Sequence, residues 1–231
     1  MILNFQDFVR ELLHAGFSMG GGSNQGVYAV ISWSWNEDPP YPTPVRWHTG
    51  DAETDPWEWR MRVVEERKDV AYGKFFNKKS GFITRTWLPL FLAVRQVERS
   101  FEEAYYEGKF SQMAKRIYAL LEEEEAVAYH DMKSLLHVSK EDSKEFERAL
   151  LELQGKLYIT ISGRQQKRSA TGEPYGWSST VFSTTEKFFG SDLIKEAKEW
   201  DRESAIKKIT AQVMTLNPHA EAKKIKKFIC D

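Results

Sequence analysis

Residues 111–182 constrain this chain more than any other stretch. Three short amphipathic segments follow one another there, and an alternating strand pattern comes after them. Ser111 is placed to cap the first segment, with Met113, Ala114, Ile117, Leu120 and Leu121 on one face at helical spacing. Asp131 to Leu136 gives a short second helix with Met132, Leu135 and Leu136 inward. Ser139 and Asp142 stand at capping-box spacing before a third helix, which turns Phe146, Ala149, Leu150 and Leu153 to the core and stops at Gly155. Leu157, Ile159 and Ile161 then alternate with Tyr158, Thr160 and Ser162, as a half-buried strand requires. The return strand falls near Trp177 to Phe182.

Three helices followed by a hairpin predict a winged helix, a shape that most often meets nucleic acid. The expected hairpin loop carries Arg164-Gln165-Gln166-Lys167-Arg168, with no acid before Glu173. Its cations can reach backbone phosphates, and Gln165 or Gln166 a base edge. The competing reading is a solvated tip that is basic by chance. The third helix argues against deep groove entry. Residues 139–156 hold four basic side chains against five acidic ones, and Glu141, Asp142 and Glu145 near its start would meet dense phosphate charge. Contact with double-stranded DNA is therefore expected to rest on the hairpin with help from Lys140 and Lys144, and to be weak and salt-sensitive. The same acidic helix suits a protein-contact module that meets a basic partner.

The flanks complete an expected α+β fold, mostly α: an aromatic-rich N-terminal α/β unit over residues 1–108, the winged helix over 109–184, and C-terminal helices over 185–231. Asn4 caps a first helix with Phe5, Phe8, Val9, Leu12 and Leu13 on one face, and Gly16 ends it. Val27 to Trp33 suits either helix or strand. Five of the eight tryptophans lie between Trp33 and Trp59, interrupted by Pro39, Pro40, Pro42 and Pro44, which predicts an ordered loop pinned by its rings. Asp55-Pro56 marks a helix start. Ala71 to Phe76 and Phe82 to Arg85 predict a hairpin around residues 77–81, and Trp87 to Val97 a buried helix.

Two further clusters carry candidate chemistry. Trp57, Trp59 and Tyr72, with Lys74 near a phosphate, could wall a pocket for an extruded base; the plainer reading is ring packing. His48, Asp51, Glu53 and Asp55 form an acidic loop that lacks the pattern of a calcium loop, so no metal is expected. No cofactor motif is present: the glycines at 20–22 are not followed by Gly-Lys-Ser/Thr. Charge is balanced, 33 basic against 34 acidic, so the chain as a whole has no pull on polyanions or membranes. Lys223, Lys224, Lys226 and Lys227 make a basic tail, read as a solvated helix end or a secondary phosphate contact. The N-terminus is no signal peptide, no apolar stretch of membrane-spanning length occurs, and the single cysteine, Cys230, suits a reducing cytoplasm.

The segments Ser111-x-x-Ala114-Lys115-Arg116-Ile117-Tyr118, Phe146-x-x-Ala149-Leu150-x-x-Leu153, and Trp57-x-Trp59 with Ala71-Tyr72-Gly73-Lys74 and Phe82-Ile83 resemble AlkZ-related proteins. These are relatives of the AlkZ/YcaQ-like bacterial DNA glycosylases, and the resemblance runs from about Trp57 to Phe228. It implies a bacterial DNA-repair setting, tandem winged helices in the longer catalytic relatives, and hydrolysis of the glycosidic bond of alkylated or crosslinked bases. Those relatives carry Gln-x-Gln or Gln-x-Asp to position the attacking water. This sequence has neither; Gln96-Val97-Glu98 is the nearest spacing, and Gln165-Gln166 belongs to the hairpin. The expected function is thus DNA binding without the family's catalytic motif. The alternatives are a glycosylase with an altered site and a protein-interaction module.

Overall fold

The computed structural model describes residues 1–96, 100–168 and 171–230, and for Arg168 the backbone alone. Among the described residues, six strands form one sheet: β1 (Phe17–Met19), β2 (Val70–Phe76), β3 (Lys79–Thr84), β4 (Val127–Ala128), β5 (Ile159–Arg168) and β6 (Pro174–Thr184). Their order is β1-β3-β2-β5-β6-β4, and every neighbouring pair is antiparallel. The fold is mixed α and β.

Local chemistry explains the N-terminal elements. The Asn4 side chain accepts the Asp7 N–H at 3.0 Å and starts α1 (Phe5–Ala15). Gly16 ends it at φ 87, and a Cβ there would strike the Trp87 ring at 2.2 Å, so the position demands glycine twice over. Asp55 starts α2 (Pro56–Glu66) and also organises the loop before it. Its buried carboxylate accepts the N–H groups of His48 at 3.0 Å, Trp57 at 2.8 Å and Gly50 at 2.8 Å. The β2–β3 turn is tighter than the sequence suggests. Phe76 pairs with Lys79, so only Asn77 and Lys78 turn, both at positive φ (52 and 65) as a two-residue hairpin of this hand needs. Val27 to Trp33 is neither helix nor strand; it lies along β1, with Met19 N–H donating to Tyr28 O and Val30 N–H to Ser18 Oγ.

Alternation along β2 and β3 sends side chains into two cores. Val70, Tyr72 and Phe82 join Phe5, Phe8, Trp59, Ile117, Phe146, Ile159 and Ile161. Ala71, Phe75 and Ile83 join Phe17, Leu88, Phe91, Leu193, Ile209 and Phe228. Burial on both faces explains why Val70–Phe76 reads as almost continuously apolar. Each fully buried ring or aliphatic chain contributes about 1.5–3 kcal/mol.

The central region runs α5 (Gln112–Glu123), β4, α6 (Tyr129–Leu135), α7 (Ser143–Gly155), β5 and β6, with β6 between β4 and β5 in the sheet. The third of these helices begins later than capping-box spacing predicts. Ser139 Oγ accepts the Asp142 N–H at 3.1 Å within a preceding turn, and Asp142 stands at the helix start without a side-chain cap bond. This region joins the N-terminal strands through Tyr72↔Ile161 and through buried Gln154, whose Oε1 accepts the Lys74 N–H at 3.0 Å.

The second core is closed by α3 (Leu88–Arg95), α9 (Asp192–Lys198), α10 (Arg202–Leu216) and α11 (Ala222–Cys230); α4 (Phe101–Tyr106) packs against the first. A short α8 (Thr185–Phe189), capped by Thr184, follows β6 directly. Buried Arg95 clips these parts together by donating to the backbone carbonyls of Phe75, Gly155, Phe228 and Ile229 at 2.7–2.9 Å. Among the described residues no helix is long and apolar enough to cross a membrane.

Candidate nucleic-acid interface

The β5–β6 ladder runs from Ile159↔Thr184 to Arg168↔Pro174, so the two strands connect between Arg168 and Pro174. This corrects the expected position of the basic residues: 164–168 lie on the strand and not in the loop. Nothing in Arg-Gln-Gln-Lys-Arg supplies a positive φ or a fixed turn, and the first glycine beyond it is Gly172, at φ 84.

That placement decides what each side chain meets. Arg164 reaches back to α2, where its guanidinium bonds Glu58 at 2.9 Å and Glu65 at 3.3 Å. The bond to Glu58, aided by both carboxylate charges, holds its pKa above the ordinary arginine value. Gln165 Nε2 donates to Asp131 Oδ2 on α6 at 3.2 Å, and Gln166 Nε2 to Gly176 O at 3.0 Å. Lys167 is half-buried and makes no ion pair among the described residues; the Arg168 side chain lies outside them. The root of the hairpin is therefore charge-compensated, and the five residues do not act as one cationic tip.

The opposite strand carries an irregularity that strand alternation does not predict. Between the pairs Gln165↔Ser179 and Lys167↔Tyr175, three residues of β6 oppose the single Gln166. Gly176 takes φ 68 in this bulge, and Trp177 is 95% exposed, with Tyr175 53% exposed beside it. An indole that far from any packing partner forgoes the burial its surface would otherwise gain. The available signal was Tyr175-Gly176-Trp177, two rings around a glycine in a strand whose apolar alternation begins only later.

Lys140 and Lys144 are exposed at the start of α7 and make no ion pairs among the described residues. Glu141, Asp142 and Glu147 are exposed near them, and Glu147 pairs with Lys133 at 3.3 Å. The proposed base pocket does not assemble. Trp59 is 0% exposed and Tyr72 is buried, stacked respectively on Phe8 and Phe82, because both point into the first core. Trp57 remains 43% exposed, but the Arg60 guanidinium covers its ring at 3.1 Å. Lys74 is exposed on β2. In the acidic loop, Asp51 bonds Glu53 N–H and the Thr54 hydroxyl, and Glu53 pairs with Arg62 at 2.7 Å. Gln96 follows α3, while Val97 and Glu98 lie outside the described residues.

A family model described as AlkZ related matches residues 2–230. No curated protein sequence matches the chain. Among solved structures, the Streptomyces sahachiroi DNA glycosylase AlkZ aligns with a TM-score of 0.39 and 11% identity, over 76% of this chain and 50% of that one. The chain thus spans about half the length of that protein. With the family model matched over nearly its full length, the protein belongs to the AlkZ-related family.

Proposed function

We propose that the protein is a winged-helix module that binds double-stranded DNA in a repair setting and lacks the glycosylase step. The order helix, strand, two helices, two strands, with the sheet order β4-β6-β5, supports the winged-helix reading. Membership of the AlkZ-related family supports DNA as the partner. The observation that carries the proposal is the hairpin itself. It presents Trp177 at 95% exposure, with Tyr175 and Lys167 paired across the strands beside it. An exposed ring next to a cation suits stacking on an unstacked base while the cation meets the backbone. The DNA contacts then come from Trp177, Tyr175 and Lys167, with Lys140 and Lys144 at the neighbouring helix; Arg164 is engaged by Glu58 and Glu65. The missing Gln-x-Gln and Gln-x-Asp patterns support binding without base excision.

Anisotropy of a labelled duplex, intact or with one unpaired base, tests this at low and high salt. Binding at low salt that favours the unpaired site and weakens as salt rises is expected. No binding to either duplex at low salt contradicts the proposal. Release of an alkylated base from damaged DNA would contradict its non-catalytic part.

A further inference from the structure

A second cluster of lysines without ion pairs among the described residues lies elsewhere. Lys78 in the β2–β3 turn and Lys79 at the start of β3 are adjacent in the chain, and α11 carries Lys223, Lys224 and Lys227 within little more than one helical turn. Lys79, Lys224 and Lys227 line one recess of about 110 Å³, together with Gln25, Asn77, Phe76 and Phe228. Packing fixes this meeting. The Phe76 and Phe228 rings stack with centroids 4.0 Å apart, Arg95 holds the Phe228 carbonyl at 2.8 Å, and the Lys224 stem lies over Gly26. All five lysines are exposed, and none makes an ion pair among the described residues. Between Asn217 and Cys230 the sequence offers one carboxylate, Glu221, against four lysines.

Like charges held together by a rigid core repel one another, and the repulsion is strongest at low salt. A bound polyanion relieves that repulsion. Three of these cations line the recess, and Lys78 and Lys223 adjoin them in the chain. This suits the repeated charges of a nucleic-acid backbone better than a single small anion.

We propose that this surface of Lys78, Lys79, Lys223, Lys224 and Lys227 is a second DNA-binding site, contacting duplex phosphates without reading sequence. It deepens the DNA-binding reading and rests on it. Because β2 and β5 are antiparallel and meet at Tyr72↔Ile161, the β2–β3 turn stands at the opposite end of the sheet from the β5–β6 loop. The two are on the order of 40 Å apart at the strand rise of ~3.3 Å per residue. That distance makes their contributions independent and additive.

The test is the salt dependence of duplex affinity for the full chain, for the triple variant Lys223→Gln/Lys224→Gln/Lys227→Gln, and for Lys78→Asn/Lys79→Gln. Asparagine tolerates the positive φ at position 78. The triple variant should flatten the log affinity against log salt slope by about 2 to 3 and weaken low-salt binding at least about tenfold. The turn variant should flatten it by about 1 to 2. Thermal stability should not fall in either, since the lysines are exposed and their neutralisation relieves repulsion. If the unaltered chain binds duplex and both variants bind equally well, the second site is wrong while the hairpin reading stands. If the unaltered chain binds no duplex, the DNA-binding reading fails and takes the second site with it. Loss of binding to anionic phosphatidylserine vesicles, with duplex affinity intact, would overturn the proposal in favour of a membrane surface.

Discussion

The β5–β6 hairpin and the α11 surface are both basic in sequence, yet they present different fields. On the hairpin, Arg164 is answered by Glu58 and Glu65, which come from a helix about a hundred residues earlier in the chain. At α11, Lys224 and Lys227 line a recess with Lys79 and make no ion pair among the described residues. A local count of charges therefore misjudges both regions. What matters is which distant segment the fold places opposite, and here it compensates one cluster while it enlarges the other.

The most damaging way to break this contrast is to cut the clip that holds α11. Replacing Arg95 with Met removes a buried guanidinium that serves four carbonyls of three elements. Urea unfolding should show a loss of about 3 kcal/mol or more, since each such charge-assisted bond contributes on the order of 1.5–3 kcal/mol and the freed carbonyls stay buried. A loss within error would mean that α11 is held by its apolar face alone. Next in size is Trp177→Ala. Stacking on one base is worth about 1–3 kcal/mol, so affinity for a duplex with an unpaired base should fall about fivefold or more. The melting temperature should not move, because the ring is almost fully exposed. Unaltered affinity would remove the hairpin from the interface.

A smaller effect sharpens the comparison from the other side. Glu58→Gln with Glu65→Gln releases Arg164, and duplex affinity at low salt should rise by about two- to fivefold, one added cation contributing a salt slope near 0.9. Stability should change by less than about 1 kcal/mol, the usual worth of a partly exposed pair. No gain in affinity would show that Arg164 lies off the path of the DNA. The smallest effect concerns the acidic side of the molecule. Burial, together with Glu122, Glu102 and Glu186, pushes the Tyr118 hydroxyl well above the ordinary tyrosine pKa. A raised folded-state pKa gives stability that is complete below the unfolded value near 10 and is lost as pH climbs through the folded one. Urea midpoints at pH 8 and above pH 10 should therefore diverge less in Tyr118→Phe than in the unaltered chain. Equal divergence would place the alkaline loss elsewhere.

Much of the scaffold was legible because its signals are local. Asn4, Asp55 and Ser111 cap the helices they were expected to cap, and Gly16 stops α1. The alternation of Leu157 to Ser162 marked β5, and the apolar run from Leu88 marked α3. The misplacements share one cause. β5 extends through Arg164 to Arg168 because β6 pairs with it, and strand pairing is a contact between segments that local propensity cannot weigh. The family resemblance, carried by scattered positions, agrees with the match over residues 2–230. The interface was least legible. Trp59 and Tyr72 look the same in sequence whether they line a cleft or fill a core, and the lysine tail gains meaning only beside Lys79.

The most direct test sets the two regions against each other on one duplex. Salt titrations of Arg164→Gln and of the Lys223/Lys224/Lys227 triple glutamine variant should separate cleanly: the first should keep the slope of the unaltered chain, and the second should lose about 2 to 3 from it. A slope that falls in Arg164→Gln and stays put in the triple variant would contradict the account at its centre.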